Sequence, residues 1–254
     1  MYLTEEEQKR YRRQIIIPSI GEEGQLKLKK SVVFIAGVGG LGSVSAYYLT
    51  AAGVGKIIMV DRDSVDFGNL NRQILHWTDD IGKKKVYSAK EKLLKLNPNV
   101  NIEVLEADIR QENIISLLGD SQIIVDALDN IEGRRILNKA SVERGIPYVF
   151  GGVDGLSGMV TVFDPSETAC FECVFPRAFR KTEEIGVIGP TPGIIASIQA
   201  METIKIILGM EGTLKNRLLF FSGLDMNFRE IKLEKNPECG VCGKRWEKKW
   251  ERYT

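Results

Sequence analysis

The chain has 254 residues, 43% of them hydrophobic and 27% charged, enough to bury a substantial core in one large domain or two small ones. Lys plus Arg number 35 against 34 Asp plus Glu, so no global field draws in nucleic acid or an anionic membrane. The first residues, Met1 to Arg13, are charged and polar with no apolar h-region, and no later apolar run is long enough to span a bilayer; the expectation is a cytoplasmic protein without nucleic-acid or membrane partners.

Along the chain, Thr4 to Leu28 carries Glu and Lys at helical intervals, interrupted by Pro18 and Gly21, and predicts two short helices ahead of the main fold. SVVFIAG, a glycine cluster ending at Gly42, VSAYYLTAAGVG and KIIMVD then read as strand, turn, helix, strand. The alternation continues with a helix from Lys84 to Leu96 ended by Asn97 and Pro98, the strand NIEVLEAD, a helix from Glu112 to Leu118, the strand QIIVDALD, a helix from Arg134 to Arg144 and the strand PYVFGGV. Such an order predicts an α/β doubly wound, mostly parallel, Rossmann-like sheet. After Gly151, GMVTVFD, RLLFFSG and EIKLEK predict mixed or antiparallel strands, separated by cysteine pairs and the apolar helix Thr191 to Leu208. The stretch from Pro176 to Pro190, charged and rich in Gly and Pro, predicts a mobile crossover loop.

Gly37, Gly39, Gly40 and Gly42 in GVGGLG lie between a strand and a helix, and Asp61 closes the next strand 19 residues after Gly42. That is dinucleotide-fold spacing: the glycines admit phosphates to the positive end of the helix, and the acid can bind ribose hydroxyls. A tight turn needs glycine even without a ligand, but here strand, helix and acid are all in place. Asn69, Arg72 and Lys85 follow the ribose acid; taken singly Arg72 and Lys85 read as solvated charges, and together they suit a triphosphate better than a nicotinamide dinucleotide. Asp129, in the turn VDALDN, can hold magnesium against phosphates or form an Asx turn or helix cap before Glu132. His76 is the only histidine and reads as a packed structural residue.

CFEC and CGVC place Cys170, Cys173, Cys239 and Cys242 as two CxxC pairs with 65 residues between them. In a reducing compartment this predicts a closed tetrahedral four-cysteine zinc site that staples a late loop to the C-terminal tail, in preference to a redox pair. With all four thiols on zinc and one histidine in the chain, what remains is chemistry by positioning and electrostatics, such as nucleotidyl transfer to an existing carboxylate.

GVGGLG, VDRDSVDFGNLNRQILH, GKKKV, VDALDN and the paired CxxC motifs together resemble the ubiquitin-activating-enzyme superfamily, in its MoeB/ThiF/HesA branch. The resemblance covers nearly the whole chain. It implies one adenylyltransferase domain over 1–254, with N-terminal helices over 1–29, a nucleotide-binding half over 30–151, and a carrier-binding, crossover-loop and zinc half over 152–254. It implies a homodimer in which MgATP and the Gly-Gly tail of a ubiquitin-like sulfur carrier give an acyl-adenylate and pyrophosphate. Carried over by position, Asp61 would bind ribose, Asn69, Arg72 and Lys85 the phosphates and Asp129 the magnesium, with Arg13 reaching the γ-phosphate across the dimer interface.

The sequence departs from relatives in two ways. Thr182 stands where many carry a cysteine in the crossover loop, and with Thr254 as the last residue the expectation is a protein without an appended rhodanese domain. The expectation is adenylation without a cysteine thioester, with sulfur supplied by a separate sulfurtransferase. Alternatives are a related enzyme adenylating a peptide or other carboxylate, an NAD-dependent oxidoreductase, for which no convincing catalytic His, Tyr or Lys stands near the strand ends, and a nucleotide-binding scaffold without turnover.

Overall fold

The computed structural model describes residues 2–176 and 186–243. The N-terminal segment forms three helices where two are expected from the pattern: α1 (Glu5–Arg10), α2 (Arg12–Ile15) and α3 (Gly21–Lys30). A capping box between Thr4 and Glu7 starts α1. Tyr11 then leaves helical geometry and buries its ring, with its hydroxyl accepting from Asn97 Nδ2 at 2.8 Å.

The alternation follows: β1 (Val32–Ala36), α4 (Gly40–Ala52), β2 (Lys56–Val60), α5 (Lys85–Leu96), β3 (Asn101–Leu105), α6 (Ile114–Leu118), β4 (Ile123–Asp126), α7 (Ile131–Arg144) and β5 (Tyr148–Asp154). After β6 (Ser157–Phe163) come a short helix α8 (Phe171–Val174), α9 (Pro190–Leu208), β7 (Arg217–Ser222) and β8 (Asn227–Lys232). All eight strands form one sheet in the order β3-β2-β1-β4-β5-β6-β7-β8. Pairings from β3 to β5 are parallel and those from β5 to β8 antiparallel, as the sequence pattern anticipates.

Both faces of β1 are covered, which explains its unbroken apolar run. Val33 and Ile35 face a core shared with Leu49 of α4, Leu93 of α5 and Ala200 of α9. Phe34 and Ala36 face the opposite core with Leu118 of α6, Leu137 of α7 and Phe171 of α8. Phe34 is wholly buried, so truncating it to Ala would cost about 3–5 kcal/mol. The apolar character of α9 is accounted for within the chain, where it packs Ile195 and Ala196 against Val160 and Phe221. Among the described residues no helix is long and apolar enough to cross a membrane. Residues 177–185, which include Thr182 and most of the expected crossover loop, lie outside the described residues.

Candidate functional site

The strand order reverses direction between β1 and β4, and in open α/β sheets such a switch point opens a crevice at the carboxyl ends of the strands. The glycine turn sits there. Gly37 has φ +92°, and a Cβ on it would lie 2.8 Å from the Ala127 carbonyl oxygen, at the end of β4. A Cβ on Gly42 would collide with the Gly37 carbonyl, so α4 can begin this close to the strand only with glycine at both positions. Gly39 precedes α4 without a side-chain cap, leaving the first-turn N–H groups without intrahelical partners.

Asp61 follows β2 directly, and its Oδ2 accepts from Val38 N, inside the glycine turn, at 2.8 Å, while Oδ1 accepts from Asp63 N at 2.8 Å. Lys85 opens α5, is 6% exposed, and places Nζ 3.0 Å from Asp63 Oδ2. The connection from β2 to α5 folds back over the turn: a Cβ on Gly40 would lie 3.5 Å from the Arg72 carbonyl oxygen. The Arg72 guanidinium donates to Gly68 O at 2.9 Å and Asn71 Oδ1 at 3.0 Å. Asn69 accepts from Asp66 N at 3.1 Å and so closes a short 3-10 turn.

Asp129 is exposed just beyond β4. The capping role that the sequence left open for it belongs to Asn130, whose side chain accepts from Gly133 N at 2.8 Å and starts α7. The glycine turn, Asp61, Arg72, Lys85 and Asp129 thus gather around the ends of β1, β2 and β4. Arg13 does not join them. It is exposed on α2, whose Gln14 donates to Ala52 O at 3.1 Å, at the far end of α4. The twelve residue steps from Gly40 to Ala52 span about 18 Å of helix.

A buried charge group was not anticipated. Asp126, the last residue of β4, is fully buried, with Oδ2 2.7 Å from the Tyr148 hydroxyl and 3.2 Å from Arg134 Nε. Burial pushes its carboxyl up, opposed by Arg134, the Leu128 N–H and Tyr148. Arg134 also donates to Leu128 O at 2.7 Å and Gly151 O at 2.9 Å, so it braces the turn that carries Asp129. The available signal was an acid ending the apolar run IIVD, which has to find a partner when buried.

The four cysteines meet as expected, with all their sulfur atoms within 4.8 Å of one another. Cys170 and Cys239 sulfurs are 3.7 Å apart, Cys173 and Cys242 3.4 Å, and Cys170 and Cys173 3.9 Å. Zn–S bonds of about 2.3 Å give tetrahedral S···S edges of about 3.8 Å, so the donor set and its size fit zinc. Asn138 Nδ2 donates to Cys170 Sγ at 3.6 Å and Val241 N to Cys239 Sγ at 3.5 Å, orienting two of the sulfurs. Interaction with Cys242, helped by the Cys173 N–H and Asn138, lowers the Cys170 thiol, and the same interaction pushes Cys242 up. The cluster ties α8 to the segment after β8.

A sequence model of the ThiF family matches residues 11–241. The chain belongs to the ThiF family. This ThiF-family chain is 38% identical over 253 residues to a sulfur carrier protein adenylyltransferase of Thermus thermophilus, spanning 96% of itself and 93% of that relative. It is 43% identical over 246 residues to the adenylyltransferase and sulfurtransferase MOCS3 of Anopheles gambiae, spanning 94% of itself but 56% of that relative. Among solved structures, E. coli MccB with ATP superposes with a TM-score of 0.75 and 27% identity, covering 87% of this chain and 68% of MccB. The chain is thus an adenylyltransferase of the ThiF/MoeB type, as its motifs indicate.

Proposed function

We propose that this ThiF-family adenylyltransferase activates the C-terminal Gly-Gly carboxylate of a ubiquitin-like sulfur-carrier protein. The supporting observation is the convergence of the Gly37–Gly42 turn with Asp61, Arg72, Lys85 and Asp129 at the β1/β4 switch point. The named role of the Thermus relative supplies the substrate class. A carboxylate oxygen of the carrier attacks the α-phosphorus of ATP, the Pα–O bond to the β-phosphate breaks, and pyrophosphate leaves with the electron pair. No proton has to move, which suits a site with positioned charges and little general-base capacity.

In this reading Asp61 binds ribose, the α4 N-terminus with Gly39 and Gly40 receives phosphates, and Asn69, Arg72 and Lys85 offset their charge. Asp129, free of capping duty and exposed at the crevice, holds Mg2+, which neutralises charge developing on the phosphates. The four cysteines hold a structural zinc. Two chains form a homodimer in the cytoplasm, and Arg13, remote from its own glycine turn, serves the partner's site.

Exchange of labelled pyrophosphate into ATP tests the reading. It should require both magnesium and a carrier ending in Gly-Gly, and Arg72→Ala or Asp129→Ala should each lower it about a hundredfold or more. Equal exchange with a carrier trimmed of its two glycines would overturn the substrate assignment.

A further inference from the structure

Val38, the second residue of the glycine turn, has both its backbone polar groups held by side chains. Its N–H goes to Asp61, and its carbonyl oxygen lies 2.9 Å from His76 Nε2. The other ring nitrogen, Nδ1, is 2.8 Å from Ser88 Oγ on α5. Lys92, one turn further along α5, donates to that same Oγ at 2.9 Å and to the Ser88 carbonyl at 3.2 Å. It also pairs with Asp80, which accepts from Trp77 N at 2.8 Å and from Lys83 Nζ at 3.2 Å. His76, Ser88, Lys92 and Asp80 are all at least nine-tenths buried.

These contacts assign the protons. Lys92 only donates and the Val38 carbonyl only accepts, so Nε2 carries a hydrogen and, in a neutral ring, Nδ1 takes the hydrogen of the Ser88 hydroxyl whose Oγ accepts from Lys92. Nδ1 is then the acceptor, and the imidazole is neutral with its proton on Nε2, aimed at the Val38 carbonyl. A buried ion pair is a poor source of net stability, because desolvation offsets the attraction. This one stands three hydrogen-bonded steps from the glycine turn, and its position gives it a different use.

We propose that His76 is a positioning residue for the nucleotide: held as its Nε2–H tautomer by the Asp80–Lys92–Ser88 relay, it fixes the Val38 carbonyl and thereby presets the first-turn N–H groups of α4 for phosphate. The inference rests on the nucleotide reading above and adds to it a group that touches no substrate. Preorganisation of this kind acts on ligand affinity, since the turn does not have to be ordered when the phosphates arrive.

Because the chain has a single histidine, its imidazole can be read without assignment. In full-length protein carrying 15N-labelled histidine, the ring should appear at neutral pH as the neutral Nε2–H tautomer, and Lys92→Met, which releases the Ser88 hydroxyl, should shift the Nδ1 resonance. His76→Phe should raise the KM for ATP in pyrophosphate exchange about tenfold, the scale of one lost hydrogen bond, with the KM for carrier unchanged. His76→Gln, whose amide can still donate to Val38 O, should recover most of that loss. If His76→Phe does not fold, Ser88→Ala tests the same relay and should show the same split with the Nδ1 resonance shifted by loss of its hydrogen bond. An Nδ1–H tautomer in the wild-type protein, or a folded His76→Phe or Ser88→Ala chain whose KM for ATP stays within about twofold of wild type, overturns the inference alone. Wild-type protein that binds no MgATP overturns the adenylation reading and this inference with it.

Discussion

Arg134 Nε lies 3.2 Å from Asp126 Oδ2, where the carboxylate is fully buried and Tyr148 donates to the same oxygen at 2.7 Å. The pair joins the end of β4 to α7 and β5, and Arg134 stacks over the Phe150 ring at 5.0 Å. Replacing Arg134 by Met leaves the buried carboxylate with only neutral donors, the Tyr148 hydroxyl and the Leu128 N–H. Breaking a buried pair from one side costs about 3–5 kcal/mol, so chemical denaturation of Arg134→Met should show a loss of that size. Arg134→Met combined with Asp126→Asn should recover part of it, since the uncompensated charge is gone. A loss below about 1 kcal/mol would mean that the pair contributes no more than an exposed one.

Arg13 and Lys85 give a test by mixing. Within one chain α2 is anchored at the Ala52 end of α4, opposite the end that starts at Gly40. Arg13→Ala and Lys85→Ala chains, each inactive, should together regain up to about a quarter of wild-type activity, because a random half of dimers are mixed and each mixed dimer has one intact site. Absence of rescue after confirmed subunit exchange would mean that Arg13 and Lys85 serve a site built within one chain.

Acid should weaken the fold through His76 first. Burial lowers its pKa below 6.5, with Lys92 and Lys85 adding to the effect and the Val38 carbonyl and Asp80 opposing it. The unfolded chain therefore binds the proton more readily, and stability rises with pH across this window. The contribution is complete above 6.5 and is lost as pH falls from there through the folded-state value. Burial alone would raise the Asp80 carboxyl, but Lys92, the Trp77 N–H and Lys83 outweigh it and hold it well below 3.8, so its contribution disappears only in stronger acid. Denaturant midpoints measured between pH 7.5 and 5.5 should fall more steeply for wild type than for His76→Gln. Parallel slopes would show that His76 takes up no extra proton on unfolding.

Much of this was legible because local patterns carried it. The spacing from GVGGLG to Asp61 reads directly as a strand, turn, helix and strand, and the Asp61 bond to Val38 is the tertiary expression of that spacing. The two CxxC pairs likewise announced a cluster. What escaped was long-range pairing: Asp126 with Arg134 and Tyr148, and Val38 with His76, join elements whose neighbours only the folded sheet decides. The start of β8 at Asn227, three residues before the expected EIKLEK, follows from the hairpin turn at Met226 (φ 51°) and from a strand exposed at every position, which leaves no buried face to mark it. Helix α8 is a single turn between Cys170 and Phe175, too short to show a period.

Zinc should be present at one per chain in protein purified without supplement, as metal analysis would show. Cys239→Ser removes one ligand from a cluster that ties α8 to the segment after β8, on the side of the chain remote in sequence from the glycine turn. Melting temperature should therefore fall before MgATP affinity changes. Full activity and unchanged melting in metal-free protein would rule out a structural metal.

The cysteine inventory decides where the reaction on this chain stops. The sequence holds four cysteines, and the structure draws all four sulfurs within 4.8 Å of one another. A sulfur bound to zinc has its lone pairs and charge engaged by the metal, and no fifth thiol remains to form a thioester with the carrier. Threonine at 182 is a poor substitute by its chemistry: a hydroxyl stays protonated and weakly nucleophilic unless a base activates it, and the single histidine is committed to Val38 and Ser88. The carrier acyl-adenylate should therefore be the end product here, held until sulfide or a persulfide on a separate sulfurtransferase attacks its carbonyl carbon and releases AMP. Incubation with carrier and MgATP should give a species trapped by hydroxylamine, with no reductant-sensitive adduct between chain and carrier on a non-reducing gel. An adduct mapped to Cys170, Cys173, Cys239 or Cys242 would mean that at least one of these sulfurs is free to react, and both the acyl-adenylate endpoint and the four-cysteine zinc site would fall together.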